Sequence, residues 1–361
     1  MNTNPKLIWD SSEVLDPGHF EWRSPSNIAI VKYWGKYGEQ LPRNPSFSFT
    51  LSAAFTQMRM DYRLKEIPDN DIALEFFFHG APNEAFAAKI KQFLERLQPV
   101  FPFLTQLELI IHSENSFPHS AGIASSASSM SALALCLCSL EDRLFGTLRD
   151  QDAFDQKASW VARLGSGSAC RSIFPYASVW GTTGALPGSS EDYGVAAESW
   201  LHDTFKDFHD DILIVSKAEK SVSSRAGHAL MEGHPFAESR YGQARKNINI
   251  LQEALRSGDL DTFGRIAEEE ALTLHALMMC SHPSYMLMRP NSLAMIERIR
   301  AYRADTGHPV YFTLDAGPNI HLLYPGNIVH EVRGFIESDL KSLCEQGYYI
   351  QDWVGEGPEE I

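Results

Sequence analysis

Short runs rich in branched and aromatic residues punctuate the first part of the chain: 27–31 (NIAIV), 58–64 (MRMDYRL), 72–78 (IALEFFF) and 107–112 (LELIIH). Runs of this kind, bounded by polar turns, predict strands. Between the last two, 84–97 repeats its apolar residues at helical spacing and predicts an amphipathic helix. MSALALCLCSLEDRLFG predicts a buried helix that ends at Gly146. Farther on, 237–256 and 260–279 predict long amphipathic helices, and 292–303 another. Strands are expected at 309–313 (PVYFT) and 320–324 (IHLLY), flanking the turn 314–319 (LDAGPN). The segment 185–198, with its Gly, Pro, Ser and acidic residues, reads as a loop near a domain junction. The end, 352–361, reads as a loose tail. The pattern is α+β with mixed sheets.

Composition narrows the function classes. The chain has 361 residues, 44% hydrophobic and 21% charged, enough for two modest domains or one large one. A net charge of -15 argues against a nucleic-acid partner, which needs a basic face. It does not exclude a small anion, because salt screens each charge within about 10 Å. The odd set Cys136, Cys138, Cys170, Cys280 and Cys344 has no CxxC spacing, so reduced, buried thiols are expected rather than disulfides or a zinc site. No apolar run is long enough to span a membrane, and 1–16 lacks the basic start and apolar core of a secretory signal. A cytoplasmic location is expected.

Candidate chemistry sits in segments of unusual composition. PHSAGIASSASSM (118–130) packs serines among tiny residues with no charge, between a predicted strand and a predicted helix. Free N–H groups at a helix start attract anions, and small residues let a phosphate approach. A serine-capped, tightly packed helix is the plainer alternative. GSGSACRS (165–172) offers flexible glycines, serine donors and Arg171, whose planar fork suits a carboxylate or phosphate. A polar turn is its alternative. KYWGK (32–36) ends a predicted strand with cations that could grip a phosphate or simply be solvated. Asp315 lies at a turn, where it could cap the backbone or act as a base. His112, His119, His275 and His282 show no metal-binding spacing and read as core or surface residues.

Together these segments resemble the diphosphomevalonate decarboxylases of the GHMP-kinase superfamily. KYWGK after Asn27-Ile-Ala, Ser113-Glu-Asn leading to Ser120–Ser128, GSGSACRS and Asp315–Asn319 occur in that family's order and at similar spacing. The resemblance implies a two-domain fold with a deep cleft between lobes: an ATP-binding domain over 1–190 and a second GHMP-kinase-like domain over 191–361. It implies ATP and Mg²⁺, mevalonate 5-diphosphate as small-molecule substrate, and a homodimer. By the same resemblance Asp315 is the base facing the 3-hydroxyl, and Arg171 partners the substrate carboxylate. Tyr33, Lys36, Ser166 and Ser168 grip the 5-diphosphate, and Lys32 lies near the reacting phosphates. Ser120, Ala121, Gly122, Ile123, Ala124, Ser125, Ser126 and Ser128 wrap the ATP phosphates, with Ser125 and Ser126 closest to the transferred group and its metal. No metal ligand is assigned. The adenine pocket is expected between Phe49 and Ser116.

The chain departs from the family at Tyr37-Gly38, Asn44-Pro45-Ser46, Leu164 and Pro175-Tyr176, positions expected to surround the substrate pocket. Rival readings are a decarboxylase of the monophosphate or a bisphosphate, a mevalonate or phosphomevalonate kinase that stops after phosphorylation, and a non-catalytic nucleotide- or metabolite-binding protein.

Overall fold

Two long antiparallel strands, Gly18–Val31 and Ser46–Leu64, form the spine of the larger sheet in the computed structural model. The structure describes residues 6–10, 13–67, 69–118, 125–218 and 221–361. Each strand is longer than its apolar run predicts. Ser46-Phe-Ser-Phe-Thr-Leu alternates as a strand should, yet its serines and Thr50 are as buried as its phenylalanines. Pairing sets Ala29 opposite Ser48 and Val31 opposite Phe47, with one register shift between these pairs and another between Pro25 and Asn27.

The sheet widens through Leu107–Asn115, antiparallel to Ser46–Leu64, and Ala73–Phe78, which runs parallel to Leu107–Asn115. Ala177–Trp180 joins near the start of Ser46–Leu64 and pairs in turn with Gly194–Ala196. The predicted loop 185–198 therefore contains a short strand. Helix Ser125–Phe145 covers this sheet, with Cys136 and Cys138 fully buried among its leucines. Helix Glu84–Leu97 forms where the periodicity predicts it, its N-terminus capped by Asn83.

A smaller, wholly antiparallel sheet runs Tyr311–Thr313, Ile320–Pro325, Phe208–Leu213, Tyr349–Ile350. The strand Phe208–Leu213 was not anticipated, because FHDDIL carries two acids in its middle. Helices Ala237–Ser257, Leu260–Met279 and Pro290–Thr306 belong to this half. The halves meet through rings: Phe49 of the large sheet lies 6.4, 6.1 and 5.8 Å from Phe205, Phe208 and Phe263. Burying each such ring contributes about 1.5–3 kcal/mol.

Two expectations are corrected. Cys280, just past a helix end, is exposed, while the other cysteines are buried and all are free. The end of the chain is not loose. Glu359–Glu360 pair with Trp22 and Arg23 at the edge of the large sheet, and Val354 bridges to Leu51. Buried Asp352 accepts the N–H groups of Ser52 and Ala53 through Oδ1 (2.8 and 2.7 Å) and of Ala54 through Oδ2 (2.8 Å). Glycine, proline and glutamate describe only local preference. The donors that fix this segment lie some three hundred residues away. Among the described residues no helix is long and apolar enough to cross a membrane.

Asp352→Asn replaces one acceptor oxygen with an NH₂ that must face a backbone donor. We expect a loss of about 1–3 kcal/mol, read from urea unfolding; an unchanged midpoint would show that the latch is dispensable.

Candidate active site

Lys32 is the first residue past the strand Gly18–Val31, so its main chain has lost its sheet partner. The second half of the chain supplies one. The Lys32 N–H donates to Glu270 Oε2 (2.9 Å), and its carbonyl accepts from Arg240 Nη2 (3.1 Å) and Asn44 Nδ2 (3.0 Å). Glu270 Oε1 also accepts from Arg240 Nη1 and Asn247 Nδ2, each at 2.8 Å. Both side chains of the Arg240–Glu270 pair are sealed from solvent.

Held this way, Lys32 turns its ammonium to Asp315 Oδ1 (2.8 Å) and the Ala29 carbonyl (2.5 Å). The lysine is buried, while Asp315 is 27% exposed to the cleft it lines. Burial pulls the Lys32 ammonium below its ordinary range; Asp315 opposes the shift. The solvated-lysine alternative fails for Lys32. Asp315 sits in the turn between Tyr311–Thr313 and Ile320–Pro325, where buried His275 donates through Nε2 to its carbonyl (3.1 Å).

GSGSACRS folds as a buried 3₁₀ turn, Gly167–Ile173. Gly167 has no room for a side chain: a Cβ would stand 2.9 Å from Trp180 and from Tyr33 Oη. Arg171 donates from Nε to Ser48 Oγ (2.9 Å) and Asn27 Oδ1 (3.3 Å), and from Nη1 to Ser46 Oγ (2.8 Å). Among the described residues its Nη2 makes no hydrogen bond. The Ser168 carbonyl accepts from Asn27 Nδ2, and the Ser166 hydroxyl lies 3.1 Å from that of Ser126.

Tyr33 is packed between Trp180 and His228, with ring centroids 4.6 and 4.3 Å away. Its Oη is buried without a hydrogen-bond partner among the described residues. Burial pushes the phenol up, so it remains a neutral donor. Lys36 Nζ reaches Gln40 Oε1 (2.8 Å).

These residues line a common cleft of about 240 Å³: Lys32, Tyr33, Lys36, Ser126, Ser166, Ser168, Arg171 and Asp315 all border it. Ser128 does not. Its hydroxyl turns into the core to meet Thr56 Oγ1 (2.7 Å), so the expected phosphate contact from this side chain is withdrawn. Ser120, Ala121, Gly122, Ile123 and Ala124, like His119, lie outside the described residues. Among the described residues the covering helix is present from Ser125 onward. A second cavity of about 1090 Å³ shares Ser126, Gly165 and Arg225 with the cleft. Met58, Phe76, Phe78, Phe86 and Ile90 give it apolar walls, and Ser125 borders it.

The sequence reading missed Ser224, Arg225 and His228, which line the cleft from helix Ser224–Ala229 of the second half. Ser223 caps that helix, and this serine followed by Arg225 was the available signal. With Arg225 the described lining carries Lys32, Lys36, Arg171 and Arg225 against Asp315 alone. A net cationic cleft in an acidic protein is built for an anion.

The family departures do not surround this cleft. Leu164 lies in the core of the first half, and Tyr37 bonds Glu191. Tyr176 donates its N–H to the Gly355 carbonyl (2.8 Å). None of Tyr37, Gly38, Pro45, Leu164, Pro175 and Tyr176 is among the lining residues.

Known proteins match along most of the chain. A model of the diphosphomevalonate decarboxylase-like N-terminal domain matches residues 24–191, and one of the mevalonate 5-diphosphate decarboxylase C-terminal domain matches 211–354. A diphosphomevalonate decarboxylase of Ganoderma lucidum is 31% identical over 329 residues, covering 86% of this chain and 79% of that protein. The mevalonate diphosphate decarboxylase of Staphylococcus aureus superposes with a TM-score of 0.81 at 25% identity, covering 96% of this chain and 98% of that one. A structure of MDDEF in complex with MVAPP, AMPPCP and magnesium gives a TM-score of 0.79 at 27% identity, covering 96% and 99%.

Glu270→Gln would leave the buried Arg240 charge uncompensated and loosen Lys32. A loss of about 3 kcal/mol in urea unfolding is expected. Wild-type stability would mean that the Arg240–Glu270 pair does not hold this junction.

Proposed function

We propose, from the premise that the chain belongs to the diphosphomevalonate decarboxylase family, that it decarboxylates mevalonate 5-diphosphate with ATP, releasing isopentenyl diphosphate, ADP, phosphate and CO2. The observation that carries this reading is the Lys32–Asp315 pair beside Arg171 in one cationic cleft. The substrate has a diphosphate at one end, a carboxylate at the other and a hydroxyl between. The cleft offers an anion grip, a guanidinium and a carboxylate. The GHMP-kinase-like architecture is read as an ATP-binding domain over 1–190 and a second domain over 191–361. A homodimer, which rests on the family likeness, and a cytoplasmic location, which rests on the sequence reading, are further parts of the proposal.

Asp315 accepts the proton of the tertiary 3-hydroxyl as that oxygen bonds to the γ-phosphorus of ATP. A carboxylate is a much weaker base than an alkoxide, so the proton moves late, when phosphoryl transfer has already acidified it. Lys32 holds the accepting carboxylate in place through Oδ1. When the 3-phosphate departs, the tertiary carbon becomes electron-poor. The bond to the carboxylate then breaks, its electron pair forms the double bond, and CO2 leaves. Arg171 orients the carboxylate without neutralising it permanently. Its ties to Ser46, Ser48 and Asn27 fix the guanidinium plane and leave Nη2 for the substrate. Tyr33, Lys36, Ser166 and Ser168 face the 5-diphosphate.

The larger, apolar cavity suits the adenosine end of ATP, beside the helix Ser125–Phe145. Met58, Phe76, Phe78 and Ser113 in its wall fall within the stretch expected to hold the base. Mg²⁺ neutralises phosphate charge when bound. It would need only one or two oxygens from the protein. Ser125 and Ser126 fit that modest role: each lines the larger cavity, and the Ser126 hydroxyl, which also borders the cleft, has among the described residues only the Ser166 hydroxyl beside it. Among the described residues no cluster of His, Cys, Asp or Glu would hold a metal without the nucleotide.

Following CO2 and ADP together with ATP, Mg²⁺ and mevalonate 5-diphosphate tests the reading: equal release is expected. ADP without CO2 would make the protein a kinase, and neither product would reject this substrate. Asp315→Asn should lower turnover by roughly 10²–10⁴ while ATP binding, measured by calorimetry, stays near normal. Arg171→Lys cannot meet Ser46, Ser48 and Asn27 at once, and a fall of at least about tenfold in kcat/KM is expected; wild-type turnover would remove Arg171 from the carboxylate role.

A further inference from the structure

His228 sits on the short helix Ser224–Ala229, borders the cleft and is only 9% exposed. Its Nδ1 accepts the Gly35 N–H at 3.0 Å. A backbone N–H can only donate, so Nδ1 carries a lone pair and the ring proton sits on Nε2. The imidazolium form is excluded while this contact lasts. Burial, helped by Lys36 and Arg171, pushes His228 down to about 3, in agreement with the geometry. The lock is built into the fold. Gly35 has φ of +97°, and a Cβ there would stand 2.3 Å from the Tyr241 hydroxyl. Only glycine can present its N–H at this point.

Nε2 makes no hydrogen bond among the described residues. The neighbouring ring, Tyr33, holds a second neutral donor without a partner among the described residues. Lys36 and Arg225 border the same cleft, and the charge of Arg225 depresses the Lys36 ammonium, although burial does so more. Unpartnered neutral donors beside mutually repelling cations fit a ligand group with several acceptor oxygens and more than one negative charge.

We propose that His228 is a specificity-determining residue, a permanently neutral donor whose Nε2–H bonds the 5-diphosphate of the substrate. This rests on the function read above and adds a contact from the second half of the chain. A ring that can only donate toward the cleft favours acceptor groups, and it discriminates a diphosphate from a shorter anion by reach rather than by charge.

The test is calorimetric titration of the full-length protein with inorganic pyrophosphate, in wild type, His228→Asn and His228→Gln. Asparagine keeps an acceptor near Nδ1 for Gly35 but has no donor that extends into the cleft. Glutamine extends a donor toward the Nε2 position and gives up the Gly35 contact. We expect His228→Asn to weaken pyrophosphate roughly tenfold, with His228→Gln closer to wild type, and the same order in KM for mevalonate 5-diphosphate. The reverse order would reduce His228 to an anchor for Gly35, and equal affinities in all three proteins would also overturn the proposal. If wild type bound pyrophosphate but released no CO2 from mevalonate 5-diphosphate, the function would be misread. The pyrophosphate series would still decide the role of His228.

Discussion

The site depends on the grip of a buried Arg240–Glu270 pair on the main chain of Lys32. At the end of a strand a buried N–H and C=O lose their ladder partners, and leaving them unmatched is costly. Here the acceptor and a donor come from helices more than two hundred residues away in sequence. Taking two charges out of water costs several kcal/mol per ion, so the pair is not a simple source of stability. What it secures is position. It pins the first residue past the first-half strand to the second half, and thereby fixes where the Lys32 ammonium can reach. That ammonium in turn orients Asp315, on a turn of the second half. The cleft is closed on itself by contacts that each cross between halves.

Arg171 follows the opposite logic. It is as buried as Lys32, yet the oxygens that hold it belong to serines and an amide, which satisfy its geometry and leave its charge uncompensated. Among the described residues it forms no ion pair. Lys36 and Arg225 add charge to the same space. The whole-chain net charge of -15 does little to offset this, because salt screens over about 10 Å. An empty cleft of this kind stores unfavourable electrostatic energy, and an anion that enters releases it. The protein should therefore be more stable with its phosphorylated substrate than without it.

How much of this could be read in the sequence follows from the range of each interaction. Periodicity located most of the long helices, though not Gln151–Gly165, and the apolar cores of several strands, because it reflects neighbours along one element. It failed at Phe208–Leu213, where Asp210 meets His321 and Asp211 meets Tyr324 from an adjacent strand. It failed at the end of the chain for the same reason. Asp352 has its donors in the bend of another strand. Motif order brought Lys32, Arg171 and Asp315 to notice but could not show what holds them. Glu270 ends the acidic run 268–270, which resembles a solvated face, and nothing local reveals that it is fully buried. His228 lies in no run of unusual composition.

The departures from the family pattern make the same point about range. Counted along the sequence, Pro45, Leu164 and Pro175-Tyr176 flank the motif residues and seem bound to alter the pocket. In space none of them lines it: Leu164 packs into a core, Tyr176 bonds the chain end, and Pro45 follows Asn44, which supports the Lys32 carbonyl. Lining groups must match ligand charge and acceptor geometry to within tenths of an ångström. Supporting groups need only return the same main chain to the same place, which several packings can do.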